Sequence, residues 1–249
     1  MRSLFNKLLS VGLVVMFFSL THSVSAFAIE LNELTYITES NASYNYIRDG
    51  ELQGPAVDLL LAASASVGSP IKREEILVQP WARGFRNAQE GPNTVLFSTI
   101  RTSQRETVFQ WVGPIAAESD VLIALKSRQL KISNPDDLKG FMTGAVEGDV
   151  GEEILHNAGV PLQNMALVSH SKSLGKMLNV GRIDLWIFGE AGWRETLIAS
   201  DIDPNKFEII YRFPAKHYYF ALSQDIDKQL VNKFQQAVDI ALKSSGLVF

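Results

Sequence analysis

The order of the hydrophobic patterns constrains this chain's fold more than any other feature. Short β-rich apolar runs over residues 34–38, 71–78, 95–98, 121–125, 141–146, 185–188 and 218–222 alternate with helical patterns over 56–67, 81–89, 151–158, 172–180, 189–199 and 228–244. A strand followed by a helix, repeated, marks α/β units around mostly parallel sheets, because a parallel pairing needs a crossover long enough to hold a helix. Punctuation agrees with this division. Asp49-Gly50 predicts a turn, Gly91-Pro92 breaks a helix, and Gly159-Val160-Pro161 ends another and forces an extended exit. Connections are therefore short and the units compact.

The N-terminus reads differently. Arg2 and Lys7 precede an apolar run over residues 8–20, followed by the small or short residues Val24, Ser25, Ala26 and Ala28. This is the layout of a secretory signal peptide. The run is shorter than the roughly 20 apolar residues of a spanning helix, and no basic stop-transfer cluster follows it. Cleavage is expected after Ala26 or Ala28, which removes residues 1–28 and places the protein in the periplasm. The chain has no cysteine, so disulfides, thiolate metal sites, a cysteine nucleophile and a lipid-bearing cysteine are excluded, and a soluble exported form is expected. The 23 basic residues face 27 acidic ones, and losing Arg2 and Lys7 tips the balance further. No basic stripe neutralises phosphates, so nucleic acid is not an expected partner. A mature chain of about 220 residues suffices for one large or two modest cores.

Several chemistries lack their local signals. His156, His170 and His217 show no metal-ligand spacing. Gly144 and Gly148 are not followed by Lys-Ser or Lys-Thr, so no phosphate loop is read, and no serine lies in a Gly-x-Ser-x-Gly elbow. Neither a metal nor a cofactor is expected.

A set of local motifs then runs through the whole mature chain. It begins with Ile37-Thr38-Glu39, Tyr44-Asn45-Tyr46 and Asp49-Gly50-Glu51-Leu52-Gln53-Gly54, leading to Val57-Asp58-Leu59. Pro80-Trp81-Ala82-Arg83 follows, then the run from Ser98 through Arg101, Thr102 and Arg105 to Phe109-Gln110-Trp111-Val112-Gly113-Pro114. Leu138-Lys139-Gly140, Gly144-Ala145-Val146-Glu147-Gly148 and Gly181-Arg182-Ile183-Asp184 complete it. In these motifs the chain resembles the extracellular solute-binding proteins of polar amino-acid ABC transporters, family 3. The resemblance implies an α/β, two-lobed periplasmic-binding-protein fold of type II, each lobe a mixed sheet flanked by helices, with two hinge crossovers near Gly113-Pro114 and Phe213-Pro214. Residues 29–114 and 215–249 would form lobe 1, and 115–214 lobe 2. It further implies a monomeric carrier, not an enzyme, that closes on a small polar, carboxylate-bearing ligand such as an amino acid and delivers it to an inner-membrane ABC permease. Two other readings stand beside it: a periplasmic partner of a membrane signalling receptor, and a dehydratase on the same fold using Glu39 or Glu190 as acid or base.

The resemblance assigns Arg105 to the ligand's α-carboxylate, which a planar guanidinium grips with two parallel hydrogen bonds; on spacing alone Arg105 is a surface arginine beside Glu106. Arg101 is either a second cation at that site or a surface charge. Ser98 ends a predicted strand, where the cleft of an open α/β sheet forms. Thr102 either contacts ligand or caps a following helix. Trp81 is an aromatic wall or core, and Arg83 reaches the same cleft or lies on the helix surface. Glu39 matches an acidic position near the ligand's amine, or is a loop carboxylate in water. Tyr44 and Tyr46 stack on ligand or cover the core, alternation favouring one in and one out. Where the family places an aspartate after the strand beyond Gly-Arg-Ile-Asp, this chain has Gly189, with Glu190 adjacent but turned to another direction. Asn41 stands where an aromatic residue often covers the ligand, and Asp149 caps a helix while placing negative charge at its N-terminus. Trp186 and Phe188 flank the expected cleft, and Trp193 reads as core.

Overall fold

A computed structural model describes residues 29–40 and 43–245; residues 1–28, where the signal peptide is expected, Asn41, Ala42 and residues 246–249 lie outside them. The chain opens with β1 (Thr35–Thr38), the hairpin β2 (Tyr46–Arg48) and β3 (Glu51–Gln53), α1 (Pro55–Ser66), β4 (Leu77–Val78), α2 (Trp81–Glu90), β5 (Thr94–Ile100) and β6 (Gln110–Glu118). A second body holds β7 (Asp120–Leu125), β8 (Thr143–Val146), α3 (Val150–Asn157), β9 (Met165–Val168), α4 (Ser171–Asn179), β10 (Leu185–Gly189), α5 (Trp193–Ile198) and β11 (Phe207–Arg212). β12 (Lys216–Leu222) and α6 (Lys228–Ser245) then return to the first body.

Each body is built on one five-stranded sheet, ordered β4-β1-β5-β12-β6 in the first and β11-β7-β10-β8-β9 in the second. Both are mixed: β1 runs parallel to β4 and β5, and β12 antiparallel to β5 and β6. In the second, β8 runs parallel to β9 and β10, while β7 is antiparallel to β10 and β11. The chain crosses between bodies at Ser119 and again at residues 213–215. β6 continues through Gly113-Pro114 as far as Glu118, which pairs with Lys216. Proline is tolerated there because β6 is an edge strand and the register against β12 slips between Tyr218 and Phe220, freeing the strand from a regular ladder.

Local chemistry explains the element ends. The Asp49-Gly50 turn has both φ angles positive, 53° and 82°, the two-residue hairpin geometry that joins β2 to β3 with Arg48 opposite Glu51. Pro55 opens α1 at a position that needs no N–H donor. Gly159, with φ 69°, closes α3 by donating to His156 O at 2.9 Å while Val160 donates to Leu155 O at 3.0 Å. Two expectations shrink. Residues 71–78 yield only a two-residue strand, because Arg73-Glu74-Glu75 breaks the apolar pattern and forms a 3-10 turn. The helix expected over 189–199 forms only at Trp193–Ile198, since Gly189 and Gly192 make its first turns entropically expensive. β9 and β11 carry no clean period-two pattern and escape a sequence reading.

The first core centres on Phe97, Phe220, Phe234 and Tyr36, with Phe220 and Phe234 ring centroids 4.8 Å apart. The second centres on Trp186, Leu174, Leu178, Leu197 and Phe207, all fully buried. Each large side chain so buried contributes about 1.5–3 kcal/mol. Among the described residues no helix is long and apolar enough to cross a membrane.

Candidate ligand cleft

The carboxyl ends of β1, β5, β8 and β10 converge where the two bodies face each other, the usual place for a ligand in open α/β sheets. A cavity of ≈ 20 Å³ lies there. The first body supplies Glu39, Trp81, Ser98, Ile100 and Tyr218 to its wall, and the second supplies Asp120, Asp149, Val150, Phe188 and Gly189. Glu39 also borders a larger crevice of ≈ 340 Å³ that runs out between Val78–Pro80 and Ser169–Lys172.

Three carboxylates and no basic side chain line this cavity. Burial pushes Asp120 up to about 7, reinforced by Asp149 and opposed by Lys216. Glu39 and Asp149 are both held above the ordinary carboxylate range, by burial first; Asp149 adds to the effect on Glu39, whereas Arg105 counteracts it at Asp149. Asp149 remains a helix cap, accepting a hydrogen bond from Val150 N at 2.6 Å. Ser98 sits at φ 57°, a left-handed conformation that costs a non-glycine residue about 1–3 kcal/mol and recurs at functional sites. Its hydroxyl donates to Asn45 Oδ1, and the Asn45 amide donates to Glu39 O. Buried Asn45 thus ties the Glu39 loop to the end of β5, a role the sequence reading does not assign it.

A fourth carboxylate answers the missing acid at residue 189. A Cβ on Gly189 would stand 2.9 Å from Glu118 Oε1 and 3.0 Å from Oε2. The space of that side chain is therefore filled by a carboxylate from β6. Ala191 N donates to Glu118 Oε1 at 2.6 Å and the Tyr218 hydroxyl donates to Oε2 at 2.8 Å. Burial still raises the Glu118 pKa despite these two bonds.

Arg105 lies in a run of turns rather than a helix, so Thr102 caps nothing; its carbonyl accepts from Arg105 N at 3.1 Å. Arg105 is 2% exposed, and its guanidinium stands 5.3 Å from the ring centroids of Trp81 and Phe85. Its two terminal nitrogens are engaged within the protein, meeting Glu153 Oε1 at 2.6 Å, Gly148 O at 3.2 Å and Ile100 O at 3.3 Å, while its buried Nε–H has no partner among the described residues. Glu153 and Gly148 belong to the second body, and Trp81 Nε1 donates to the same Gly148 O at 2.8 Å. Arg105 and Trp81 thereby fasten the bodies across the cleft.

Apart from Phe188, the other residues weighed from the sequence stand outside the cavity wall. Arg101 pairs with Glu106 and lies over Trp111 and Tyr219, and Arg83 is exposed on α2. Glu190 pairs with Arg212. Tyr44 backs the wall, its ring 5.0 Å from that of Tyr218 and its hydroxyl donating to Ala117 O at 3.3 Å, while Tyr46 lies on the hairpin under Arg48. Phe188 stacks on buried Trp186 and faces the cavity, and Trp193 is core.

No protein-family model matches the sequence, and no curated protein matches it either. Solved structures do match. An ancestral arginine-binding protein bound to arginine superposes with TM-score 0.72 at 18% identity, over 86% of this chain and 93% of its own. A histidine kinase sensor domain with similarity to periplasmic binding proteins gives TM-score 0.73 at 18% identity, over 85% and 91%. The fold is that of the periplasmic binding proteins. The arginine-, lysine-, histidine-binding protein ArtJ of Geobacillus stearothermophilus has it too, with TM-score 0.69 at 19% identity over 85% of this chain and 91% of that one. In this periplasmic-binding-protein fold the two sheet bodies are the two lobes, and the acidic cavity lies in the cleft between them.

Proposed function

We propose that this chain is a periplasmic solute-binding protein, exported by its N-terminal signal segment, that closes its two lobes on a small polar molecule and presents the closed form to an inner-membrane ABC permease. One observation carries the reading: the cavity wall is divided equally between the lobes, so it exists only when they meet. Ligand contacts made only in the closed form are what drives such a closure. Glu39, Trp81 and Ser98 are taken as ligand contacts, Tyr44 as support for Tyr218, and Arg105 as the residue that couples the cleft to closure. The hinge is taken as Ser119 and residues 213–215, and the working form as a monomer. The solved relatives are binding proteins rather than enzymes, and the site supplies a shaped pocket without an activated nucleophile.

A second reading is favoured by the sensor-domain relative: the closed lobes would be read by a signalling receptor. A gene pair for a permease and an ATPase beside this one supports transport, and a receptor gene in that place supports sensing. The binding function itself is tested by a thermal-shift panel of amino acids, polyamines and small organic acids on the mature protein, followed by small-angle scattering. A ligand raises Tm with the logarithm of its excess over Kd and reduces the radius of gyration. Stabilisation without compaction, or no response to any solute, counts against the reading.

A further inference from the structure

Resting on that reading, we propose that the cleft takes a compact organic cation, its ammonium or guanidinium head held among Asp120, Asp149 and Glu39 and its tail leading out past Glu39 into the adjoining crevice. No ligand carboxylate is required at Arg105.

The argument starts from Asp120. Its side chain is 6% exposed and on the cavity wall, and its carboxylate receives no hydrogen bond or ion pair from any described residue. A buried carboxylate without a partner is expensive, and such groups persist where something else completes them. Asp149 spends one oxygen on its helix cap, and the Glu39 carboxylate has no partner among the described residues. No described cation forms an ion pair with Asp120, Asp149 or Glu39; Lys216 and Arg105 act on Asp120 and Asp149 only from a distance. Arg105 is the buried cation nearest in kind, and it is spent on Glu153 and Gly148 O.

The remaining walls suit the same guest. Trp81, Phe188 and Tyr218 present aromatic surface to the cavity, and a ring face attracts a cation electrostatically. Glu118 adds negative potential from behind Gly189 and Tyr218. An incoming carboxylate would meet three acidic side chains, and of the Arg105 fork only the buried Nε–H is without a partner among the described residues. Among the described residues no group of His, Asp or Glu side chains has the arrangement to hold a metal ion, so the fitting cation is organic. Size orients it: ≈ 20 Å³ is about the space of one water molecule and takes only the tip of a head group, whereas the ≈ 340 Å³ crevice sharing Glu39 has room for a chain.

The test is calorimetric titration of the mature protein with three compounds of one skeleton: agmatine, which has the guanidinium and lacks the carboxylate; arginine, which has both; and citrulline, which keeps the carboxylate and loses the charge. Agmatine and arginine should bind within about tenfold of each other, and citrulline about thirtyfold or more weaker, the effect of leaving buried charges unpaired. Asp120→Asn, close to isosteric, should weaken agmatine about thirtyfold or more, and Glu39→Gln serves in its place if that variant does not melt cooperatively. Citrulline bound as well as arginine, or arginine bound without agmatine, overturns the cation assignment and leaves the binding-protein reading standing. Failure of all three, together with failure of the wider solute panel to shift Tm, overturns both.

Discussion

Replacing Asp120 by asparagine should close the ligand-free protein. In the closed form Asp120 is held at about 7, against an ordinary value of 3.8 that it regains when the cleft opens to water. An acid whose pKa is raised in one form favours that form only while protonated. Closure is thus unpenalised below the ordinary pKa, loses ground as pH rises from there to about 7, and is constantly disfavoured above. Between about pH 5 and about pH 8 the difference is about 2.5 kcal/mol, near a hundredfold in the closed-to-open ratio. The groups that set the shift besides burial are Asp149 and Glu118, which raise it, and Lys216 and Arg105, which lower it. Because the chain has no cysteine, single cysteines at the exposed positions Ala62 on α1 and Gln163 in the second lobe take a donor–acceptor pair cleanly. Energy transfer in the wild type should fall as pH rises through this window and recover on adding agmatine. Asp120→Asn should flatten the dependence, leaving the share of Glu39, Asp149 and Glu118, and hold higher transfer at about pH 8. Identical pH profiles for the two proteins would refute the reasoning.

Further outcomes follow from the same geometry. Arg105→Met should weaken binding of every ligand by loosening closure while leaving the order agmatine, arginine, citrulline unchanged; selective loss of arginine would instead make Arg105 a carboxylate receptor. Glu153→Gln should favour the open form by up to about 3–5 kcal/mol, because closure then buries an uncompensated guanidinium, and scattering should show a larger radius of gyration. Gly189→Ala places a methyl group 2.9 Å from Glu118 Oε1, so Glu118 must move and the Ala191 and Tyr218 bonds to it weaken; about 1–3 kcal/mol of stability should be lost in denaturant melts. Gly54→Ala drives its methyl group into the Tyr44 carbonyl with φ at 127°, and should destabilise more than Gly50→Ala, which meets nothing.

The parts of the cleft legible in the sequence were those whose position follows from an element's end. Glu39 just past β1, Ser98 on β5 and Trp81 opening α2 all reach the cavity because strand and helix ends are where an open sheet leaves room. Asp149 was readable as a helix cap, and only the facing lobe turns it into part of an acidic wall. Asp120 gave no signal: as the first residue of a strand it looks like a solvated turn carboxylate until β7 pairs with β10 and brings it opposite Gly189. Glu118 was equally hidden, since its approach to residue 189 depends on β6 crossing toward the second lobe. The engagement of Arg105 was invisible for a related reason. Its partners lie on the other lobe, and local spacing offered only Glu106, which Arg101 takes.

The most direct measurement is a crystal structure of the mature protein grown with agmatine. The account predicts closed lobes, the guanidinium between the Asp120 and Asp149 carboxylates against Trp81, and the Arg105–Glu153 pair intact. A ligand whose charged head lies outside the cleft, or whose binding releases Arg105 from Glu153 to meet it, would contradict the account.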